Sequence, residues 1–250
     1  MPAGSFRAPL AAVAFLTRMP LGRWAELGPD DVGRGTAFFP LVGAAVGAVG
    51  GLVAEGLEGP LPAIAAGGLG VGLAACLTGA LHLDALADSA DALGAPTRER
   101  ALEIMRDSRI GSFGAVALAL ALLVESSLLG AAAVERNAVV VFAVAGALSR
   151  AASPPLARLL PYARTEGGPG SVLSGRTPLA AVALAMLVAA GLAVGLLGWD
   201  GAAAAAVVVG VAAAGGIAGR AWIGGVTGDT LGAVTQVAEI GALAMLVALA

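Results

Sequence analysis

Residues 178–198 read PLAAVALAMLVAAGLAVGLLG, a stretch of apolar and small residues without one charged side chain. A helix needs about 20 such residues to cross the hydrocarbon core of a bilayer. Six more segments have a similar character, at about 36–54, 61–83, 113–134, 137–153, 201–219 and 231–250. The sequence therefore predicts an all-α, polytopic membrane bundle of about seven transmembrane helices, with residues 1–250 as one domain.

The composition of the chain supports this class. Of its 250 residues, 58% are hydrophobic and 12% are charged, and the mean hydropathy is +0.91. All 14 positively charged residues are arginine and 17 residues are acidic, so the net charge of −3 argues against nucleic acid as a partner. Cys76 is the one cysteine, which excludes an intramolecular disulfide and a cysteine metal cage.

Individual residues refine this expectation. Small residues such as Gly43 and Gly47 in the first span predict close helix packing, and glycine-rich spans leave homo-oligomers open. Pro154 predicts that the fourth helix is interrupted near residue 153. The stretch ending at Leu16 is too weakly apolar for a cleaved signal, and we expect it to remain as a half-buried helix.

Arginine placement predicts the orientation, because positive residues in short loops stay on the cytoplasmic side. With a cytoplasmic N-terminus and seven spans, every arginine except Arg136 falls on one side: Arg7, Arg18, Arg23, Arg34, Arg98, Arg100, Arg106, Arg109, Arg150, Arg158, Arg164, Arg176 and Arg220. We therefore expect the active-site loops, at about 84–112, 154–177 and 220–230, to face the cytoplasm.

An acidic helix follows the second span, where residues 81–94 read LHLDALADSADALG. Asp84, Asp88 and Asp91 fall within about 60° of one another on a helix surface. Because like charges at this spacing repel, and because Mg²⁺ takes carboxylate oxygens and substrate phosphates, the stripe indicates a Mg²⁺ site. The alternative is a solvated helix end.

Three further ionisable residues lie in or beside predicted spans. His82 is the only histidine of the chain and precedes the acidic stripe. It is either a buried hydrogen-bonding residue or a group with a direct chemical role. Glu125 and Glu239 lie inside spans, where a charge is costly and normally faces protein or water.

Two other polar stretches suit phosphate. Residues 97–114 read TRERALEIMRDSRIGSFG. They predict a short amphipathic helix after Thr97, followed by Arg106, Asp107 and Arg109 and then by a turn at 111–114 whose N–H groups begin the third span. In residues 224–233, GGVTGDTLGA, glycines such as Gly228 allow close approach of an anion, and Asp229 suggests contact with a metal or nucleophile. Both stretches are also compatible with simple membrane loops.

Together these motifs resemble the cobalamin synthase family, the adenosylcobinamide-GDP ribazoletransferases. The resemblance rests on the order and spacing of five stretches: 15–20 (FLTRMP), 38–43 (FFPLVG), 82–91 (HLDALADSAD), 98–114 and 227–233 (TGDTLGA). Ala85, Ala92, Ser89 and Ser112 depart from the family pattern but leave every carboxylate in place.

The resemblance implies the last assembly step of cobalamin (vitamin B12) synthesis in the bacterial inner membrane. A ribose hydroxyl of α-ribazole, or of its 5′-phosphate, would attack the cobinamide-linked phosphorus of adenosylcobinamide-GDP and expel GMP. The resemblance is also compatible with association between this chain and other enzymes of the cobalamin pathway. The implied Mg²⁺ ligands are Asp84, Asp88 and Asp91. Catalytic roles fall to Asp84, Asp88, Asp229 and His82, and substrate contacts to Arg18, Arg106, Asp107, Arg109 and Gly228.

Two other functions remain open at this stage. A CDP-alcohol phosphotransferase would need the pattern Asp-x-x-Asp-Gly followed by Ala-Arg, whereas this chain places Ser89-Ala90 after Asp88. A small-solute transporter would use Glu125 and Glu239 as midplane sites.

Overall fold

The computed structural model describes residues 6–21 and 26–250, where helices account for the regular secondary structure. Five helical segments there are long and apolar enough to cross a membrane, or six if the bent pair α4–α5 is one span. The helices are α1 (Arg7–Leu16), α2 (Pro29–Gly35), α3 (Phe39–Leu57), α4 (Ala63–Thr78), α5 (Leu81–Ala92), α6 (Arg98–Ile104), α7 (Ser112–Glu135), α8 (Ala138–Leu159), α9 (Leu179–Ile223) and α10 (Gly228–Ala248).

Helix α9 reverses direction near its middle. Gly198 has φ 55° and ψ −125°, a conformation that L side chains rarely adopt. A Cβ on Gly201 would collide with the carbonyl oxygen of Ala193, although residues eight apart on a straight helix are separated by about 12 Å. The two halves of α9 therefore pack side by side as two crossings, in agreement with the separate predicted segments 178–198 and 201–219.

The chain bends sharply between α4 and α5. Their axes differ by 91°, and Gly79 and Ala80 make the turn with left-handed backbone conformations. The predicted second span, 61–83, is therefore wrong at its end, since α4 stops at Thr78. The continuation carries carboxylates that are costly in hydrocarbon, and α5 packs instead against α7 and α10.

The predicted interruption at Pro154 is also wrong, because α8 continues through Pro154 and Pro155 to Leu159. The prolines lie near the end of the helix, and α8 is the most buried of the candidate spans. Packing against neighbouring helices offsets the lost hydrogen bonds, as is common in membrane helices.

Close packing of small residues, in contrast, is confirmed. A Cβ on Gly43 would collide with the backbone of Gly146, and one on Gly47 with that of Phe142, so α3 and α8 touch backbone to backbone. The predicted N-terminal helix is present as α1, which buries Ala11, Ala12 and Leu16.

The polar loops gather at one end of the bundle. Arg98 donates hydrogen bonds to the carbonyl oxygens of Ile223, at 2.7 Å, and Ala163, at 2.8 Å, and so ties α6 to two other loops. Arg136 lies at the opposite end, paired with Asp200 at 3.0 Å. Arg23 lies outside the described residues. The predicted active-site loops are partly helical, since α5, α6 and the ends of α8 and α9 extend into them.

Candidate active site

The acidic stripe lies on α5 at the polar end of the bundle. Leu83, Ala87 and Ala90 are buried, which confirms that this helix is packed on its other sides. Asp84 is exposed, whereas Asp88 and Asp91 are half-buried. The bend before α5 is what brings this stripe across the bundle towards the start of α10.

Asp88 stands at the centre of a group of carboxylates. Burial, together with the charges of Asp84, Asp229 and Asp91, raises the pKa of Asp88 to about 6, while the charge of Arg164 acts in the opposite direction. Asp88 of α5 and Asp229 of α10, which are 141 positions apart in the sequence, therefore share one electrostatic environment. We call Asp84, Asp88 and Asp229 the carboxylate site.

Asp229 enters this site from the first turn of α10. The Thr227 side chain caps the helix by accepting a hydrogen bond from the backbone N–H of Thr230 at 3.1 Å. Arg164 donates a hydrogen bond to the Asp229 carboxylate, and its side chain is only 6% exposed. Burial nevertheless raises the pKa of Asp229, with Arg164 acting in the opposite direction.

Arg164 is the residue that sequence reasoning missed. It was one of many arginines on the predicted cytoplasmic side, and only its position between Tyr162 and the glycines at 167 and 168 set it apart. In the described part of the chain its buried Nε finds no hydrogen-bond acceptor. Arg164 thus supplies the one strong positive contact to the carboxylate site that the structure records.

Asp91 makes a different kind of contact from the other two aspartates of the stripe. Its carboxylate accepts hydrogen bonds from the backbone N–H groups of Gly111, at 2.7 Å, and Gly114, at 2.8 Å. These are the amides at the start of α7 that were expected to face a phosphate. Asp91 therefore joins α5 to α7, as an anion at a helix N-terminus.

The other predicted phosphate-binding arginines lie near the surface and outside direct contact with the carboxylate site. Arg109 is paired with Asp107 at 2.6 Å and is 86% exposed, and its hydrogen bonds lower the pKa of Asp107 to about 2. Arg106 pairs with Glu166 at 3.1 Å. Arg18 lies at the bend after α4, where its backbone N–H donates to Leu77 at 2.8 Å.

A second polar cluster lies inside the bundle, and we call it the intramembrane cluster: His82, Glu125, Arg150, Gln236 and Glu239. All five are buried. Arg150 forms an ion pair with Glu239 and lies 3.5 Å from Nδ1 of His82, and Gln236 donates to Glu125 at 2.7 Å. This confirms that the two glutamates face protein, and their pairing weakens the transporter alternative.

A cavity of about 150 Å³ adjoins the carboxylate site. Asp84, Asp229, Gly228 and His82 lie on its wall together with residues from α1, α3 and the 3-10 turn Pro169–Val172. The predicted residues His82, Asp84, Gly228 and Asp229 are thus brought together around one space.

The acidic groups of the site can be compared with the ligands that the predicted Mg²⁺ ion requires. Across residues 6–21 and 26–250, no three acidic, histidine or cysteine side chains are placed to hold a metal ion by themselves. The carboxylate site offers oxygen donors only, and Mg²⁺ in proteins is commonly held by one or two carboxylates plus substrate phosphates and water. The donor set therefore suits a Mg²⁺ ion that arrives with a phosphorylated substrate.

Comparison with known proteins gives a consistent result. Residues 8–247 match the family model described as Cobalamin-5-phosphate synthase. An adenosylcobinamide-GDP ribazoletransferase of Syntrophobacter fumaroxidans is 36% identical over 92% of this chain and 93% of its own. One of Pseudomonas aeruginosa is 38% identical over 98% of both chains. No solved structure matches the chain.

Proposed function

The chain belongs to the Cobalamin-5-phosphate synthase family, and from that premise we propose that it is an adenosylcobinamide-GDP ribazoletransferase. It joins adenosylcobinamide-GDP to α-ribazole, or to α-ribazole 5′-phosphate, in the last assembly step of cobalamin. The observation that carries the proposal is the crowding of Asp84, Asp88 and Asp229, of which Asp84 and Asp229 line one cavity, because such crowding is typical of sites that bind cations and move protons.

The reaction is a transfer at phosphorus. The ribose hydroxyl oxygen of the acceptor forms a bond to the cobinamide-linked phosphorus, and the bond from that phosphorus to the bridging oxygen breaks. GMP leaves with the bridging oxygen and the electron pair. The hydroxyl proton passes to Asp229, which lines the cavity and is not one of the proposed metal ligands.

Mg²⁺ is the proposed cofactor, held by Asp84 and Asp88 together with phosphate oxygens of the nucleotide. When bound, it neutralises the charge that develops on the phosphates and on the departing GMP. Asp91 was predicted as a third ligand, and both of its oxygens already accept backbone hydrogen bonds. We therefore give Asp91 the role of fixing α5 against α7, and its direct contact with the metal stays a prediction to test.

Arginines complete the proposed site. Arg164 holds Asp229 in place through its ion pair. Arg109 and Arg106 carry exposed guanidinium groups, which can exchange their present partners for the pyrophosphate because surface ion pairs are weak. Arg18, at the bend beside α5, is the less direct candidate. His82 lines the same cavity as Asp84 and Asp229, and its catalytic role stays a prediction.

We place the enzyme in the bacterial inner membrane with this site facing the cytoplasm. The support is that the arginine-rich loops share one end of the bundle, while Arg136 lies at the other. Homo-oligomers and association with other enzymes of the pathway remain predictions from the glycine-rich spans and the family.

The test is GMP release by the full chain purified in nanodiscs. The protein receives adenosylcobinamide-GDP and α-ribazole, each alone and together, with Mg²⁺ or with EDTA. We expect GMP only when both substrates and Mg²⁺ are present. Release without the acceptor would indicate a hydrolase, and release in EDTA would remove Mg²⁺ from the mechanism. CDP-alcohol substrates in the same assay test the competing phosphotransferase.

A further inference from the structure

We propose that the cavity beside the carboxylate site binds the flat, apolar base of the acceptor nucleoside. This inference rests on the proposed function and assigns one of its two substrates to a place. The cavity, of about 150 Å³, is the space that Asp84 and Asp229 share.

The inner wall of the cavity is apolar and aromatic. Phe15 of α1 and Phe39 of α3 are stacked, with ring centroids 5.6 Å apart and planes 12° from parallel, and both face the cavity together with Leu81, Leu173 and Leu231. A planar ring system binds more tightly when it is buried against such residues and when it contacts aromatic faces.

The chemistry of the wall excludes the charged parts of the substrates. No arginine lines the cavity in the part of the chain that the structure describes, so a phosphate placed against its apolar wall would be desolvated without a cationic partner. The polar side chains on the wall, other than the two aspartates, are His82, Ser153 and Thr235. Thr235 already donates to the carbonyl oxygen of Leu231 at 2.9 Å.

A guanine base is also a poor occupant. It carries several hydrogen-bond donors and acceptors, and each one left unpaired in an apolar cavity lowers affinity. A fused apolar base has few such groups and matches the wall. The acceptor base therefore fits better than the nucleotide end of the donor.

This placement also orients the reacting group. With the base against Phe15, Phe39 and the leucines, the attached ribose would lie beside Asp84 and Asp229, which line the same cavity. Its hydroxyl is then close to the proposed base, and any 5′-phosphate points away from the apolar wall. Phe15 and Phe39, one from each of the N-terminal motifs at 15–20 and 38–43, thereby contribute to a substrate site.

The experiment uses Phe15→Ala with Phe38→Ala as the matched control. Phe38 lies one position before Phe39 and lines a different groove, between α1 and α3. Steady-state GMP release in nanodiscs is measured while each substrate is varied in turn. We expect Phe15→Ala to raise the KM for α-ribazole about 10-fold and to leave the KM for adenosylcobinamide-GDP unchanged, with both KM values unchanged in Phe38→Ala.

A binding measurement tests whether the cavity binds the base, independently of turnover. Equilibrium dialysis of radiolabelled benzimidazole against the full chain in nanodiscs should show binding that weakens about 10-fold in Phe15→Ala and persists in Phe38→Ala. Failure of the wild-type chain to bind benzimidazole would overturn the proposal, as would an increased KM for adenosylcobinamide-GDP instead of α-ribazole. GMP release that needs both substrates, together with unchanged KM values in Phe15→Ala, would remove the base site but leave the proposed function standing.

Discussion

The intramembrane cluster and the carboxylate site begin two residues apart on α5, at His82 and Asp84, yet their charges are arranged in opposite ways. In the intramembrane cluster Arg150 pairs with Glu239, and Gln236 bonds Glu125. At the carboxylate site, acidic groups lie close to one another, and among the described residues Arg164 is the one cation that pairs with them. The first cluster pairs its charged groups internally, whereas the second holds three carboxylates against one arginine.

The difference separates structural from chemical roles for buried polar groups. Paired groups in hydrocarbon join helices, because each partner removes the other's cost of burial. Crowded like charges destabilise the folded protein, and proteins retain such strain mainly at functional sites. Substitutions should therefore affect stability in one cluster and turnover in the other.

The largest effect is expected for Asp88→Asn. We expect turnover to fall by about 10³-fold, because the substitution removes a proposed metal ligand. Thermal stability should stay level or rise, since repulsion from Asp84 and Asp229 is relieved. GMP release and thermal unfolding in nanodiscs measure the two effects.

Glu103→Gln is the matched control for Asp88→Asn. Glu103 is exposed and pairs with Arg100 at 2.6 Å, within one turn of α6. It should retain wild-type turnover. Normal turnover and normal Mg²⁺ dependence in Asp88→Asn would refute the assignment of the carboxylate site.

The next largest effect tests the other cluster. Arg150→Met alone should lower the free energy of unfolding by about 3–5 kcal/mol, because Glu239 is left buried without its partner. The double variant Arg150→Met with Glu239→Met should recover most of this loss. Chemical denaturation in detergent measures both, and equal losses in the single and double variants would show that pairing is not what Arg150 provides.

The sequence predicted the class of fold and the acidic stripe well, because both depend on local spacing. Apolar runs define the spans, and carboxylates spaced four and three apart share a helix face wherever the helix lies. The bend after Thr78 was not predicted, since Ala80 adopts its left-handed conformation only in the context of the whole bundle. The continuation of α8 past Pro154 has the same origin, because packing outweighs a local preference.

Within the site, long-range partners were the unpredictable part. The Arg164–Asp229 pair joins residues 65 apart, and no periodic pattern connects them. The amides of Gly111 and Gly114 were rightly expected to suit an anion, but that anion is Asp91 of the same chain. Sequence spacing predicts which groups need a hydrogen-bond or ionic partner, and the fold determines which partner each group has.

A smaller effect is expected for Asp91→Asn. One amide oxygen replaces two carboxylate oxygens, so one of the two N–H groups at the start of α7 loses its acceptor, at a cost of about 1–3 kcal/mol. Turnover should fall about 10-fold, in line with a positioning role. The Mg²⁺ concentration for half-maximal activity should not change. A marked increase in that concentration would make Asp91 a metal ligand, as the sequence predicted.

The smallest effect is expected for Arg109→Gln. This variant tests whether an exposed arginine outside both clusters binds the pyrophosphate of the substrate. Because Arg109 holds the pKa of Asp107 at about 2, the pair stays ionised at neutral pH, and a competing anion can displace Asp107 from this exposed pair. A pyrophosphate that draws Arg109 away should bind about 10-fold more weakly to the variant. This would appear as a higher KM for adenosylcobinamide-GDP, with the KM for α-ribazole and the unfolding temperature unchanged. Arg100→Gln, on the exposed face of α6, is the matched control, and equal KM values in both variants would confine phosphate recognition to groups nearer the carboxylate site.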